Sequence, residues 1–424
     1  MDLTLKTPLL GGLSPDAFMR RHWQKKPLLI RAALPELATA PATDAASADA
    51  LAQATIPDVT PVVTRAELFA LAANEMVESR LIVHRAAGWT MRQGPFKRSA
   101  MPPLKQPRWT LLVQGLDLHL SAARELIERF RFVPDARLDD VMVSFASDGG
   151  GVGPHVDSYD VFLLQLQGKR RWRIGRVTDP ALVPNVPLKI LANFVPEQEW
   201  LLEAGDMLYL PPGWAHDGVA EGECLTASIG FRAAGREQLA REVLQRALDA
   251  AEPIEADPLY RDPKQSATDT PGRIPAALQE FATDAIARTL ADARWLACAL
   301  GEVLSEPKQG VWFGAPQADS NIADGDSAVE ATEASDATPA YPTSATSPKS
   351  PAAGVRLDRR TRMLYDDWHV FINGESFQAA GRDATLMRRL ADQRALSSRD
   401  FAALSAPARD LLDDWLAAGW MKAG

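Results

Sequence analysis

The chain has 424 residues, of which 46% are apolar and 24% charged, and it contains two cysteines. That balance excludes a collagen-like, wholly disordered or disulfide-stapled protein, and at ~150 residues per domain the length suggests about three units. Its 46 Lys/Arg against 55 Asp/Glu give a formal charge of −9, which argues against a protein that coats nucleic acid over its whole surface. No run of ~18 apolar residues occurs, and the start MDLTLKTPLLGG lacks a basic stretch followed by an apolar one. The expectation is therefore a soluble cytoplasmic protein, away from membranes, with Cys224 and Cys298 as free thiols.

In chain order, Ser14-Pro15 is a cap followed by proline at the first helical position, and Phe18, His22 and Trp23 continue at helical spacing over 14–26. Residues 36–57 are rich in Ala, Thr and Asp and nearly devoid of large side chains, so they read as a break. A second helix is expected over 64–74, with Thr64 as its cap. From about 108 to 232 the pattern is mostly short strands, at 141–146, 155–166, 169–175, 207–211 and 224–231. Glycine and proline turns separate them, at Gly149-Gly150-Gly151, Gly168 and Pro211-Pro212-Gly213. Helical spacing returns over 235–250 and 275–304. Residues 316–352 are low in complexity and predict a disordered linker, because they hold too little apolar surface to offset ordering entropy. The last seventy residues predict a hairpin turned at Asn373-Gly374, then helices near 384–395, 398–404 and 407–418. Such a module resembles a winged helix.

Chemistry concentrates in GGGVGPHVDSYDVFLLQLQGKRRWRIG, residues 149–175. In a strand, residues two apart share a face, so His155 and Asp157 point the same way and both can ligate a metal. His216, closing GDMLYLPPGWAH (205–216), is the candidate third ligand. Two histidines and one carboxylate form the facial triad of non-haem Fe(II) oxygenases, with Zn²⁺ as a rival on composition alone. A lone His-x-Asp is common by accident, and a loop histidine is more often merely hydrogen-bonded; the combination carries the weight. Along 169–174, alternation puts Arg170 with Trp172 and Ile174 on the inward face. Lys169, Arg171 and Arg173 fall on the outward one. A buried guanidinium needs an anion, which a metal-chelating dicarboxylate would supply; the plainer reading is a solvated basic edge strand.

The Gly-x5-His-x-Asp start (149–157) and the Gly-Asp-x4-Pro-x4-His end (205–216) resemble the two cupin motifs, and the stretch resembles JmjC-type 2-oxoglutarate oxygenases. Three segments, 14–30, 131–175 and 205–218, are more closely similar to the bacterial ribosomal oxygenases, whose best-known member hydroxylates an arginine of large-subunit ribosomal protein sixteen. The resemblance implies an α+β protein with a double-stranded β-helix (jelly-roll) core over 1–234. It further implies a helical dimerisation segment over 235–315, the linker 316–352 and a winged-helix-like domain over 353–424. It implies Fe(II), 2-oxoglutarate and O2 as cofactor and co-substrates, with iron on His155, Asp157 and His216. Arg170 would hold the distal carboxylate of 2-oxoglutarate, and Ser144 would bond the co-substrate. The implied target is the β-carbon of an arginine side chain, whose guanidinium would seek carboxylates; Asp148, Asp160 and Asp217 are near in sequence, although as turn residues they need no such role. From Gly354 to Gly424, 11 Lys/Arg and 10 Asp/Glu net to +1, so strong DNA binding is not expected. A homodimer is expected through the apolar helix stripes, including Leu244, Leu278, Phe281 and Ile286. A lysine demethylase with the same iron site, and a non-catalytic cupin or winged-helix DNA-binding regulator, are the rival functions.

Overall fold

The computed structural model describes residues 2–38, 61–249, 259–267, 270–308, 310–314 and 354–424. The linker expected over 316–352, and most of the break at 36–57, lie outside these residues. The chain forms two compact units, Met1–Ala234 and Gly235–Gly424.

The first unit is built on β1 (Leu28–Ile30), β2 (Ser79–Arg85), β3 (Gly88–Gln93), β4 (Trp109–Val113), β5 (Leu138–Ala146), β6 (His155–Val156), β7 (Val161–Arg176), β8 (Gln198–Leu202), β9 (Met207–Leu210) and β10 (Trp214–Phe231). They make one ten-stranded sheet in the order β1-β9-β7-β10-β5-β4-β2-β3, with β6 on β10 and β8 on β7. All its pairings are antiparallel, as a jelly roll requires. The long strand β7 changes partner along its length: Val161–Leu164 pair with β9, and Arg170–Ile174 pair with β8. That exchange carries the chain from one half of the roll to the other.

Two sequence expectations are corrected here. Gly168 does not turn the chain between two strands. It sits inside continuous β7 with φ +68, where an added Cβ would lie 2.2 Å from the Glu223 carbonyl oxygen, and the β7–β10 register shifts opposite it. A glycine in the left-handed region serves a turn or a bulge equally well, and here it makes a bulge. The strand expected over 155–166 is also interrupted, at 157–160, between β6 and β7. The mainly β stretch further holds two helices, Leu116–His119 and Ser121–Glu128.

The helix Pro15–Arg21 starts as its sequence dictates: the Ser14 hydroxyl accepts from the Ala17 amide, with proline in the first turn. It drives the fully buried Phe18 against Tyr209 and Phe162, at ring separations of 4.9 and 5.4 Å. This aromatic packing fixes the helix on β7 and β9, at roughly 2–3 kcal/mol for each buried ring. The helix Arg65–Ala72 carries a reciprocal capping box between Thr64 and Glu67.

In the second unit the spacing over 275–304 resolves into two helices, Ala276–Leu290 and Ala293–Ser305, because the Asp292 carboxylate caps the amides of Arg294 and Trp295. The helix Arg236–Asp249 precedes them. Two three-stranded sheets follow, β11 (Val355–Leu357) with β15 (Ala395–Leu396) and β16 (Met421–Ala423), and β12 (Met363–Tyr365) with β13 (Val370–Ile372) and β14 (Glu375–Phe377). Asn373 and Gly374 turn β13 into β14 with φ of +50 and +89, as the dipeptide predicts. The helices Gly381–Gln393, Ser398–Ala402 and Ala406–Ala417 close a core around Leu390, Leu412 and Trp415.

Candidate metal centre

His155, Asp157 and His216 converge, and one donor atom from each lies within 4.8 Å of the others. Their meeting follows from register. At His216, β10 runs between two neighbours, pairing with His155 of β6 on one side and Ile174 of β7 on the other. The two histidines are direct cross-strand partners with ring centroids 4.2 Å apart. Asp157 follows β6, and its backbone carbonyl is held by the Gly213 amide at 3.0 Å, which ties the loop after β6 to the Pro211-Pro212-Gly213 turn before His216.

The donors are prepared for a cation. His155 Nδ1 lies 2.9 Å from the Gly153 carbonyl oxygen and His216 Nδ1 lies 3.2 Å from that of Trp214. A carbonyl only accepts, so each Nδ1 carries the proton and each Nε2 presents its lone pair. Those Nε2 atoms stand 4.0 and 3.7 Å from the Asp157 carboxylate oxygens. Burial, then the neighbouring His155 and Arg170, hold His216 well below the ordinary imidazole range, so it is a neutral ligand at pH 7. Burial raises Asp157, opposed by the neighbouring His155 and a hydrogen bond from Tyr159. Desolvated and facing two lone pairs, this carboxylate lacks a counter-charge that a divalent ion would provide.

Arg170 reaches the same interior, 3% exposed. Its Nη1 donates to Ser144 Oγ at 3.0 Å and Thr226 Oγ1 at 3.2 Å, its Nη2 donates to the Gly218 carbonyl at 3.2 Å, and its Nε has no partner. The guanidinium lies over Trp172, 5.2 Å from the ring centroid. No carboxylate pairs with it among the described residues, so a buried positive charge beside His216 stands without an anion. Gly218 leaves room for this arrangement: a Cβ there would meet the Trp172 ring at 2.6 Å and Arg170 Nε at 2.8 Å. Lys169, Arg171 and Arg173 point outward, as alternation predicts, and pair with Glu203, Glu199 and Glu221, and Asp217.

The three acids near the motif in sequence do not face the centre. Asp160 is fully buried and accepts from the Tyr209 hydroxyl, Asp217 is taken by Arg173 on the opposite face of β10 from His216, and Asp148 accepts from the Gly222 amide. The carboxylates whose charge reaches the site are others. Tyr159 is raised by burial and then by Asp157, Asp140 and Asp139, with Arg80 opposing. Asp140 is buried, and its Oδ2 accepts from Gln114 Nε2 and the Gly115 amide. Sequence reading missed Tyr159 and Asp140. Tyr159 lies two residues beyond Asp157, and that spacing was an available signal; Asp140 carries none, because only the β5 pairing brings it round.

Comparison with known proteins agrees with this geometry. Residues 125–239 match the JmjC domain family and residues 288–422 match the ROXA-like winged helix family. Over 239 residues the chain is 37% identical to the ribosomal protein uL16 3-hydroxylase of Escherichia coli, covering 55% of this chain and 57% of that one. Over 226 residues it is 35% identical to a probable ribosomal oxygenase of Haemophilus influenzae, covering 52% and 50%. The chain thus spans little more than half the length of these curated relatives. A shorter match, 42% identical over 76 residues and 16% of this chain, is to a bifunctional lysine-specific demethylase and histidyl-hydroxylase of Dictyostelium discoideum. Among solved structures, E. coli ycfD superposes with a TM-score of 0.73 at 25% identity, covering 96% of this chain and 97% of that one. YcfD in complex with cobalt and 2-oxoglutarate gives 0.69 at 26% identity, with the same coverage.

Proposed function

We propose that this chain, which carries a JmjC domain and a ROXA-like winged helix, is an Fe(II)- and 2-oxoglutarate-dependent hydroxylase of an arginine side chain in ribosomal protein uL16. The observation that carries the proposal is a buried guanidinium without a counter-anion, set beside a His-Asp-His cluster whose lone pairs converge. A dicarboxylate chelating the metal answers both needs at once. Zinc hydrolysis would leave the Arg170 charge without a purpose. When bound, Fe(II) and 2-oxoglutarate with O2 supply the oxidising power for inserting oxygen into a C–H bond.

In this reading His155, Asp157 and His216 hold the metal, and Arg170 orients the co-substrate by its distal carboxylate. Ser144 and Thr226 keep the guanidinium aimed, and Ser144 bonds the co-substrate as well. The Trp172 and Ile174 side chains exclude water from that end of the barrel.

The domain division read from the sequence belongs to the same proposal, with 235–315 as a dimerisation segment. Leu278, Phe281, Ile286 and Leu290 are 37, 40, 62 and 39% exposed on one helix, apolar surface that a second copy would cover. A cytoplasmic location follows from a ribosomal substrate. Among the described residues no helix is long and apolar enough to cross a membrane.

The test is anaerobic loading with Fe(II) and 2-oxoglutarate, then air and an arginine-containing uL16 peptide, read by intact mass. The expected result is one added oxygen on the arginine, absent with His155→Ala/Asp157→Ala. Formaldehyde release from methyl-lysine peptides, with no oxygen gained by the arginine peptide, would establish the demethylase instead.

A further inference from the structure

Charge in the first unit is not spread evenly. From Ser79 to Leu116 there is no Asp or Glu, whereas Arg80, Arg85, Arg92, Lys97, Arg98, Lys105 and Arg108 all fall there, in a chain whose net charge is −9. This stretch is the β2–β3 hairpin at the free end of the sheet, the loop that follows it, and β4. Arg80 is half-buried and faces Glu78. The other six cations are exposed, and none forms an ion pair among the described residues. Elsewhere in the unit the habit is different: Arg31, Arg129, Arg137, Arg171 and Arg173 each meet a carboxylate.

Two of the six are held in place by other means. Arg92 donates to the Ala100 carbonyl and lies over the Phe96 ring, and Arg98 donates to the Pro102 carbonyl and lies over the Phe69 ring. Arg85 and Arg92 fall on the same face of the hairpin by its register. At the hairpin tip, Arg85 and Arg108 line an open cleft of about 620 Å³ with His84 and Gln106. Asp148 also lines it, but its Oδ1 is engaged by the Gly222 amide. His84, which alternates with Arg85 along β2 but lines the same cleft at the tip, stacks on Trp89 with centroids 4.1 Å apart and planes within 8°, both half-buried. Exposed cations without acid partners, beside a flat aromatic pair whose His84 borders their cleft, form the combination that binds a nucleic-acid strand: phosphates along the cations, a base against the ring.

We propose that the β2–β3 hairpin and the 97–108 loop bind single-stranded RNA. The choice of RNA rests on the proposed ribosomal substrate, a protein that RNA surrounds; the charge and ring geometry do not depend on it. A chain of net −9 is not a general polyanion binder, so this binding is confined to one face.

The test is fluorescence anisotropy on the full chain with a labelled mixed-sequence RNA of about 20 nucleotides, titrated from about 50 to 200 mM salt. The expected result is saturable binding that weakens as salt rises. In Arg85→Glu/Arg108→Glu, tenfold or greater loss is expected, with a shallower salt slope, unchanged thermal melting and unchanged 2-oxoglutarate turnover on a short peptide. Trp89→Ala should weaken binding with the salt slope retained. His155→Ala/Asp157→Ala should bind RNA like the parent chain, which separates this surface from the metal centre. Absence of binding at the lowest salt, or equal binding by the charge-reversed variant, overturns the proposal. Displacement by poly-glutamate as effective as by RNA of equal charge also overturns it, and points to an acidic protein partner.

Discussion

Replacing Arg170 by methionine tests the interior most directly, because two opposite outcomes can be derived for it. The guanidinium is buried, has three hydrogen bonds and no carboxylate. Removing it strands little. Ser144 Oγ retains the Thr226 carbonyl at 3.4 Å, and Thr226 Oγ1 retains Gln165 Oε1 at 3.0 Å. Only the Gly218 carbonyl loses its donor, while a desolvated charge disappears and methionine keeps most of the volume against Trp172. Replacement of a buried charge by an apolar isostere is often neutral or stabilising, so the variant without ligands should melt at or above the parent temperature.

Binding should move the other way. A charge-assisted hydrogen bond in a buried site contributes about 1.5–3 kcal/mol, and two such bonds to a carboxylate make ~3 kcal/mol a conservative loss. At ~1.4 kcal/mol per tenfold, the apparent KM for 2-oxoglutarate should rise on the order of 100-fold. Because a distal carboxylate is gripped equally before and during reaction, kcat at saturating co-substrate should fall far less. The assays are 2-oxoglutarate turnover and the thermal shift that 2-oxoglutarate induces, which should vanish at concentrations that stabilise the parent chain. A lower melting temperature with KM within about twofold of the parent would show that Arg170 is a structural residue, and the clamp would be refuted.

Two further outcomes are expected. Gly218→Ala puts a methyl group 2.6 Å from the Trp172 ring and 2.8 Å from Arg170 Nε, so it should raise the KM for 2-oxoglutarate and cost roughly 1–3 kcal/mol of stability by overpacking; an unchanged KM by turnover assay would contradict the packing. In the second unit, burial alone would raise Asp358, but hydrogen bonds from the Arg360 side chain and backbone, with the charges of Arg360 and Lys422, hold it below the ordinary carboxylate range. A lowered folded-state value contributes stability above the unfolded value of about 4 and loses it as pH falls, so Asp358→Asn should destabilise the chain at neutral pH and progressively less as pH falls below about 4, as urea denaturation of the full chain would report.

The metal cluster was legible because its signals are local. His-x-Asp declares a shared face, and the Gly-Asp and Pro-Pro-Gly turns bracket β9 and lead into the start of β10, where His216 stands. What sequence spacing did not carry was adjacency: the two histidines are immediate cross-strand neighbours rather than residues on facing walls, since β6 inserts beside β10. Parity alone decides one of the misplaced acids. If His216 faces inward then Asp217 faces out, and it is found on its cross-strand partner Arg173. Asp160 needed the fold, because its partner Tyr209 belongs to β9, about fifty residues on. The β2–β3 hairpin has no strong turn dipeptide at Ala86-Ala87-Gly88, and the two helices at 116–128 are too short for their period to stand out against the surrounding strands.

The irregularity of β7 around Leu166–Gly168 ties these local facts together. Before it, the odd-numbered residues of β7 face the site: Gln165 bonds Thr226, and Leu163 packs with Trp172 and Ile174. After it, the even-numbered residues do so, Arg170 bonding the same Thr226 hydroxyl. One extra residue in β7, Leu166 between the Gln165–Thr226 and Gln167–Leu225 pairs, has inverted its phase. An unbroken strand would turn Arg170 out with the solvent-facing cations and bring Lys169 and Arg171 inward, away from Glu203, Glu199 and Glu221. The inward guanidinium and the outward ion pairs are therefore two consequences of one irregular stretch of β7, which ends at a glycine in the left-handed region where the Glu223 carbonyl leaves no room for a Cβ.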